Sequence, residues 1–358
     1  MRTGFKNKKR GFIILRYMPW PLLLQLGYMR RKSGKYDKNT YACFYGAWVK
    51  RPCLGNLVAY LSFRRDLGLA LPKRFKETLK QILPSASIRK QHKIINWLIE
   101  ADPSTIFASS CLPVIEKLVD RSPAVAAYIQ KKNDADLIPA QPLAILQYKQ
   151  EKWREEFIDW IRCNKHSICV VGNSAEMEGQ ERGDLIDHHD LVIRFNQYAH
   201  CNCGTLHDSY EQIKDSGSKI NIWVRSPGYS GPAPATAESA DWIIIAGPDV
   251  RYQLSDWAGL ESIMLNKQKV ITVPLSVWRK SVSELQAPPS AGILIVAWLI
   301  EILDREHSVK ATGFQIQGAK EIRYHRILPR HKASMRHNWR READLLRLWH
   351  KNGELTLI

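Results

Sequence analysis

Between residues 167 and 312 one pattern recurs: a short apolar or β-branched run, small polar turn text, then helical periodicity. The runs are 168–171, 191–195, 219–224, 242–246, 269–273 and 308–312, with helical text at 255–266 and 291–304. Parallel strands need long crossovers, so this alternation predicts an α/β fold with a mainly parallel sheet and helices on both faces. Ligands of such sheets bind outside the carboxyl ends of the strands. The run Ile168–Val171 enters Gly172-Asn173-Ser174, which makes this turn the first candidate site. The residues after Gly172 are Asn173, Ser174, Ala175, Glu176 and Met177. They match neither the dinucleotide fingerprint G-x-G-x-x-G nor the P-loop G-x-x-x-x-G-K-[ST].

A second asparagine, Asn196, ends the run LVIRF. Two asparagines at the carboxyl ends of neighbouring parallel strands are expected to point their amides into one crevice, where they suit a nucleotide's base and sugar. The plain alternative is that each only caps a turn. Ser290-Ala291-Gly292 open a strongly apolar helix in PPSAGILIVAWLIEILD. A helix N-terminus with small residues is a natural phosphate site, and the apolar body is core. Near the end, Asn338 is a good N-cap for a helix from Trp339 to Asn352, with Gly353 at C′. His337 precedes that helix, whose positive dipole end favours neutral imidazole. Glu342 falls in the first turns, where a carboxylate is favourable.

Metal chemistry is not favoured. His200-Cys201-Asn202-Cys203 with His207 follows no standard zinc spacing and reads as polar loop. Asp134-Ala135-Asp136 precedes the strand text and reads as a solvated turn rather than a metal-binding D-x-D element. The seven cysteines form no C-x-x-C pair, which suits a reducing compartment. PGYSGPAPAT at 227–236 reads as one long loop, suited to an acceptor or lid role.

The net charge of +18 is concentrated at the start. Residues 1–50 hold twelve Lys or Arg against Asp37 alone. An anionic partner is implied, either nucleic acid or anionic lipid. The interleaved text GFIILRYMPWPLLLQLGYM favours lipid. Arg16, Pro19 and Pro21 spoil it as a spanning helix or a signal peptide, while Tyr17, Trp20 and Tyr28 suit a membrane interface. The alternative is a buried hairpin. The divisions expected are a basic interfacial segment at 1–35, a helical region at 36–150 and a catalytic domain at 151–358.

The ordered motifs resemble those of the sialyltransferases, glycosyltransferase family 29. CVVGNSAEMEGQERGDLIDHHDLVIRFNQ is similar to the family's large motif, PSAGILIVAWLIEILDREHSVKATGF to its small motif, and His337 to Glu342 to its very small motif. The resemblance covers about 165–358. It implies a Rossmann-like variant of the GT-A fold and inverting, metal-independent transfer from a CMP donor, with no cofactor. It places Asn173 and Asn196 on the CMP moiety, with Ser174 nearby and Gly172 in support, and Ser290 and Gly292 along ribose and phosphate. It makes His337 the general base, with Glu342 in support, and gives the departing phosphate a second histidine, His325 or, alternatively, His331.

Two departures stand out. The disulfide joining the family's large and small motifs falls at Ile168, beside Cys169, and at Leu303, so that bridge is absent. A basic interfacial segment also stands where the family carries an anchor and lumenal stem. Both fit a bacterial-type enzyme in the cytoplasm, at the inner face of a membrane. It would move sialic acid or Kdo from CMP to a glycan acceptor hydroxyl, in lipopolysaccharide or capsule synthesis, and bind no nucleic acid. The alternative is a non-catalytic glycan- or nucleotide-binding protein with a transferase-like fold.

Overall fold

The computed structural model describes residues 15, 17–101, 111–118, 142–164, 167–196, 213–226, 240–247, 269–304, 307–316, 334 and 336–358. Two units divide the chain: residues 1–121 with 279–288 and 334–338, and residues 122–278 with 289–333 and 339–358.

The second unit is built on a seven-stranded sheet, so the expected α/β class holds. Its strands are β1 Ser167–Val171, β2 Leu191–Phe195, β3 Ile222–Arg225, β4 Trp242–Ile245, β5 Val270–Thr272, β6 Ser308–Thr312 and β7 Thr356–Leu357. The order is β5-β4-β3-β2-β1-β6-β7, and every pairing is parallel. In β1, β2 and β4 no residue alternates out to water, because both faces are covered.

β3 begins three residues later than expected. The Asp187 carboxylate accepts the N–H groups of Ser218 and Lys219, and Asn221 Oδ1 accepts from Val192 N. These bonds hold the approach to β3 outside the regular ladder. Arg194 is buried in β2, against the usual exclusion of charge from a central strand. Its guanidinium donates to Lys219 O at 2.8 Å and Ser216 O at 2.7 Å, and lies 3.5 Å from Asp187. The buried charge is thereby paired and hydrogen-bonded.

Helix α7, Pro142–Asn164, leads into the first strand. Buried Gln150 donates to Val270 O and accepts from Thr272 N, each at 2.8 Å, so it fastens α7 to β5. Phe157 of α7 meets Trp242 and Trp298 at centroid distances of 5.4 and 5.1 Å. Between β1 and β2 lies the short α8, Gly183–Asp187.

The first unit is helical, as expected: α1 Trp20–Lys32, α2 Lys38–Lys50, α3 Leu54–Asp66, α4 Lys73–Ile82, α5 Ile88–Ala101 and α6 Leu112–Leu118. Pro19 and Pro21 start α1 instead of interrupting it, since a helix's first N–H groups need no internal partner. Asp37 caps α2 by accepting from Thr40 N and pairs with Arg30 at 2.7 Å. An aromatic chain leads from the exposed Tyr28 into the core through Phe44, Phe63 and Tyr36, with successive centroid spacings of 5.2, 5.0 and 5.5 Å. Leu23 and Gly27 bury one side of α1, while Leu22, Tyr28 and Met29 stay exposed. Among the described residues no helix is long and apolar enough to cross a membrane.

Late in the chain come α9 Leu275–Leu285, α10 Ala291–Ile302 and α11 Trp339–Lys351. α11 ends as expected: Gly353 has φ +73, and Glu354 N returns to Trp349 O at 2.9 Å. The two-residue β7 was not foreseen.

Candidate functional site

From β1 the chain builds β2 to β5 on one side and then returns to place β6 on the other. The switch point of the sheet therefore lies between β1 and β6, where open α/β sheets hold ligands. Two glycines meet there. Gly172 N donates to Thr312 O at 2.8 Å, and Ser174 N to Gly313 O at 3.0 Å. A Cβ on Gly172 would lie 2.2 Å from Gly313 O. One on Gly313, with φ +70, would lie 2.4 Å from Gly172 O. Only glycine allows the two backbones to cross this closely.

The asparagines sit at the expected strand ends, but their amides are bonded to the scaffold. Asn173 Nδ2 donates to Phe195 O at 3.0 Å, tying the end of β1 to the end of β2. Asn196 is left-handed, with φ +48. Its Oδ1 accepts from Ser226 N at 2.7 Å and its Nδ2 donates to Ser226 Oγ at 3.0 Å. It thus ties β2 to the residue after β3. Bonds of this kind fasten the turns at both strand ends. Ser226 was missed, although a polar residue closing the next strand was the available signal. Ser174 is buried and caps a 3-10 turn over 175–177 by accepting from Glu176 N.

Ser290 opens α10 as expected and caps it, its Oγ accepting from Ile293 N. Gly292 faces the Phe314 ring: a Cβ there would lie 2.4 Å from a ring carbon. Its smallness therefore serves packing on the residue after Gly313. Glu342 lies in the first turn of α11, buried, and Ser290 N donates to its Oε1 at 2.8 Å. Burial pushes its pKa up from 4.5 to about 7, against the bond from Ser290.

That shift sets a stability slope. Between pH 4.5 and 7 the folded chain binds more protons at Glu342 than the unfolded chain. Its contribution is fully present below the lower value and is lost as pH rises through the upper. Glu342→Gln, which keeps the acceptor and removes the titration, is expected to flatten stability across this window by ~3 kcal/mol at most. Denaturant midpoints from pH 4.5 to 8 check this; parallel wild-type and variant curves would refute it.

His337 belongs to the first unit. Its Nδ1 lies 2.9 Å from Pro288 O. A carbonyl only accepts, so neutral imidazole carries its proton on Nδ1 and its lone pair on Nε2. Burial pushes the pKa down to about 4, opposed by the Pro288 carbonyl and helped by the Arg336 charge. The imidazole is neutral near pH 7, as expected, but burial leads where the helix dipole was expected to. Asn338 Nδ2 donates to Leu285 O at 3.2 Å.

His325 and His331 lie outside the described residues, as do His200–His207, Asp134–Asp136, the loop at 227–236 and the helix expected at 255–266. Among the described residues no group of three or more His, Cys, Asp or Glu could hold a metal. Ile168 lies in β1 and Leu303 closes α10. The neighbouring Cys169 is a free, buried thiol that burial pushes up to about 12.

Residues 128–231 match the model of glycosyltransferase family 29 (sialyltransferase). The match takes in the Gly172–Ser174 turn and Asn196, begins earlier than the resemblance read from the motifs, and ends before Ser290 and His337. Two solved structures are similar to the chain. One is a mammalian sialyltransferase in complex with Gal-beta-1-3GalNAc-ortho-nitrophenol, 15% identical over 67% of this chain and 88% of that one, with a TM-score of 0.41. The other is a mammalian sialyltransferase, 16% identical over 58% of this chain and 78% of that one, also at 0.41. No curated protein matches the sequence.

Proposed function

We propose that this sialyltransferase-like glycosyltransferase moves a 2-keto sugar acid, sialic acid or Kdo, from its CMP donor to a glycan hydroxyl, with inversion and without a metal. The family match across the turn after β1 carries this reading. In the proposed reaction the acceptor oxygen attacks the anomeric carbon on the face opposite the phosphate. The new C–O bond forms as the bond to phosphate breaks, and that electron pair leaves with CMP. His337 Nε2 takes the hydroxyl proton, and His325 or His331 supports the departing phosphate. The donor's cytidine is assigned to the strand ends at Asn173, Ser174 and Asn196, and its phosphate to the start of α10 at Ser290, where the helix dipole favours an anion.

The test is CMP release by the purified full chain, given CMP-sialic acid or CMP-Kdo with lactose or a lipopolysaccharide extract as acceptor. Release from one donor, unchanged in EDTA, is the expected result. No release from either donor overturns the reading, and loss in EDTA overturns its metal-free form.

The place of action proposed is the inner face of a bacterial membrane, in surface-glycan synthesis. The basic first fifty residues and the exposed Leu22, Tyr28 and Met29 of α1 support it. Truncating α1 would strip buried Leu23 from the core, and Tyr28 packs on buried Phe44, so only the exposed Leu22 and Met29 are changed. The double substitution of Leu22 and Met29 by serine is expected to move the protein from the membrane to the soluble fraction. A wild-type protein already soluble without lipid or detergent would count against the proposal.

A further inference from the structure

The helical first unit contains two short segments from far along the chain, 279–288 and 334–338, and the second carries His337. Both are attached to one place, the carboxyl end of α3. A helix end there presents orphan carbonyls and the negative end of the dipole. Asp66, the last residue of α3, adds a carboxylate that is 9% exposed.

Three arginines converge on this end. Arg31, from the last turn of α1, pairs with Asp66. Arg336 pairs with the other carboxylate oxygen at 3.3 Å. Arg279 Nε donates to Gly68 O at 2.5 Å, in the turn that follows α3. Each late segment thus delivers one arginine to the same helix end. The segments are also joined to each other, His337 to Pro288 O and Asn338 to Leu285 O. The three pieces close a triangle, with His337 at one corner and the α3 terminus at another. Asp66 is mostly buried and Arg336 is 37% exposed, so the pair is screened less than a surface ion pair.

We infer that the helical N-terminal region is a clamp for the segment bearing His337, with Asp66 as its positioning residue. The inference rests on the reading of His337 as the base. Asp66 acts on the imidazole only through Arg336, the residue beside it in the chain. A misplacement of about 1 Å in a catalytic group can lower a rate about 100-fold. Loss of the Asp66–Arg336 link is therefore expected to lower kcat by roughly 10- to 100-fold while donor KM and CMP affinity stay within about twofold.

The experiment uses the full chain with Asp66→Asn, Asp66→Glu, Arg336→Met and His337→Ala. Transfer from the CMP-sugar that the wild type turns over gives kcat and KM, and calorimetric titration gives CMP affinity. The clamp predicts that Asp66→Asn and Arg336→Met lose kcat alike, that Asp66→Glu recovers most of it, and that CMP affinity holds throughout. Arg336→Met leaves the Arg31–Asp66 pair in place, so it decides the matter where Asp66→Asn fails to fold. If Arg336→Met turns over within about twofold of wild type while His337→Ala is inactive, the clamp is wrong and the base reading stands. If His337→Ala is as active as wild type, both fall. If CMP affinity drops together with kcat, general loss of structure replaces positioning as the explanation.

Discussion

Replacing His337 by alanine is expected to lower turnover 10²- to 10⁴-fold, the usual contribution of a positioned general base. The Pro288 carbonyl fixes the proton on Nδ1, so the lone pair of the neutral ring is on Nε2. With its pKa pushed down to about 4, the ring is neutral throughout the physiological range. The acid limb contributed by His337 to the kcat/KM profile accordingly falls near pH 4, well below the usual histidine region. Stability has its own dependence on this group. Its depressed pKa contributes stability that is present above 6.5 and lost as pH falls towards 4, the opposite slope to Glu342. Steady-state rates and CMP titration of His337→Ala check the assignment. Retention of more than about a tenth of wild-type turnover removes His337 from the role.

The largest effect on folding is expected from Gly172→Ala. Its Cβ would lie 2.2 Å from Gly313 O and 2.8 Å from the adjoining carbonyl carbon. Both are backbone atoms at the end of β6, held by the bonds from Gly172 N and Ser174 N. No flexible side chain can yield, so the strand ends must separate. A cost of about 3 kcal/mol or more is expected, at or beyond the upper part of the overpacking range. Gly179→Ala is the control, because φ is +71 there but nothing lies within 4 Å of the added atom. It is expected to cost only the left-handed penalty, ~1 kcal/mol. Denaturant unfolding of the two variants separates clash from backbone strain. Equal losses would show that the close approach of β1 and β6 is not the constraint.

The parts of this fold that were legible in the sequence are those fixed by local pattern. β1, β2, β4, β5 and β6 fall within a residue or two of the expected runs, because most of their positions are buried and apolar, Arg194 in β2 and Lys310 in β6 being the charged exceptions. α11 and its glycine stop were legible because period and C′ glycine lie in one stretch of chain. Long-range partners were not. Gln150 looked like any helical glutamine, yet its amide is bonded across 120 residues to β5. Asn173 and Asn196 stood out as the right residues at the right strand ends, but their bonds to Phe195 and Ser226 depend on neighbours set by the sheet order. Glu342 was placed correctly in a first helical turn, while its partner, Ser290, lies 52 residues away. Pro19 and Pro21 were read as interruptions because a proline that breaks a helix and one that starts it look alike until the helix is located.

The strand order also governs how the chain can be made. β1 is central, with β2 on one side and β6 on the other, and β6 is encoded after every strand of the opposite wing. As the nascent chain emerges, β1 to β5 can pair while the far edge of β1, Ile168 to Val171, still lacks Val309 to Thr312. At typical synthesis rates that apolar edge waits on the order of ten seconds. An unpaired β edge of this kind is a template for pairing with another chain. What shields Ile168 to Val171 during that interval therefore bears on the yield of folded protein, and slower translation between β5 and β6 lengthens the exposure.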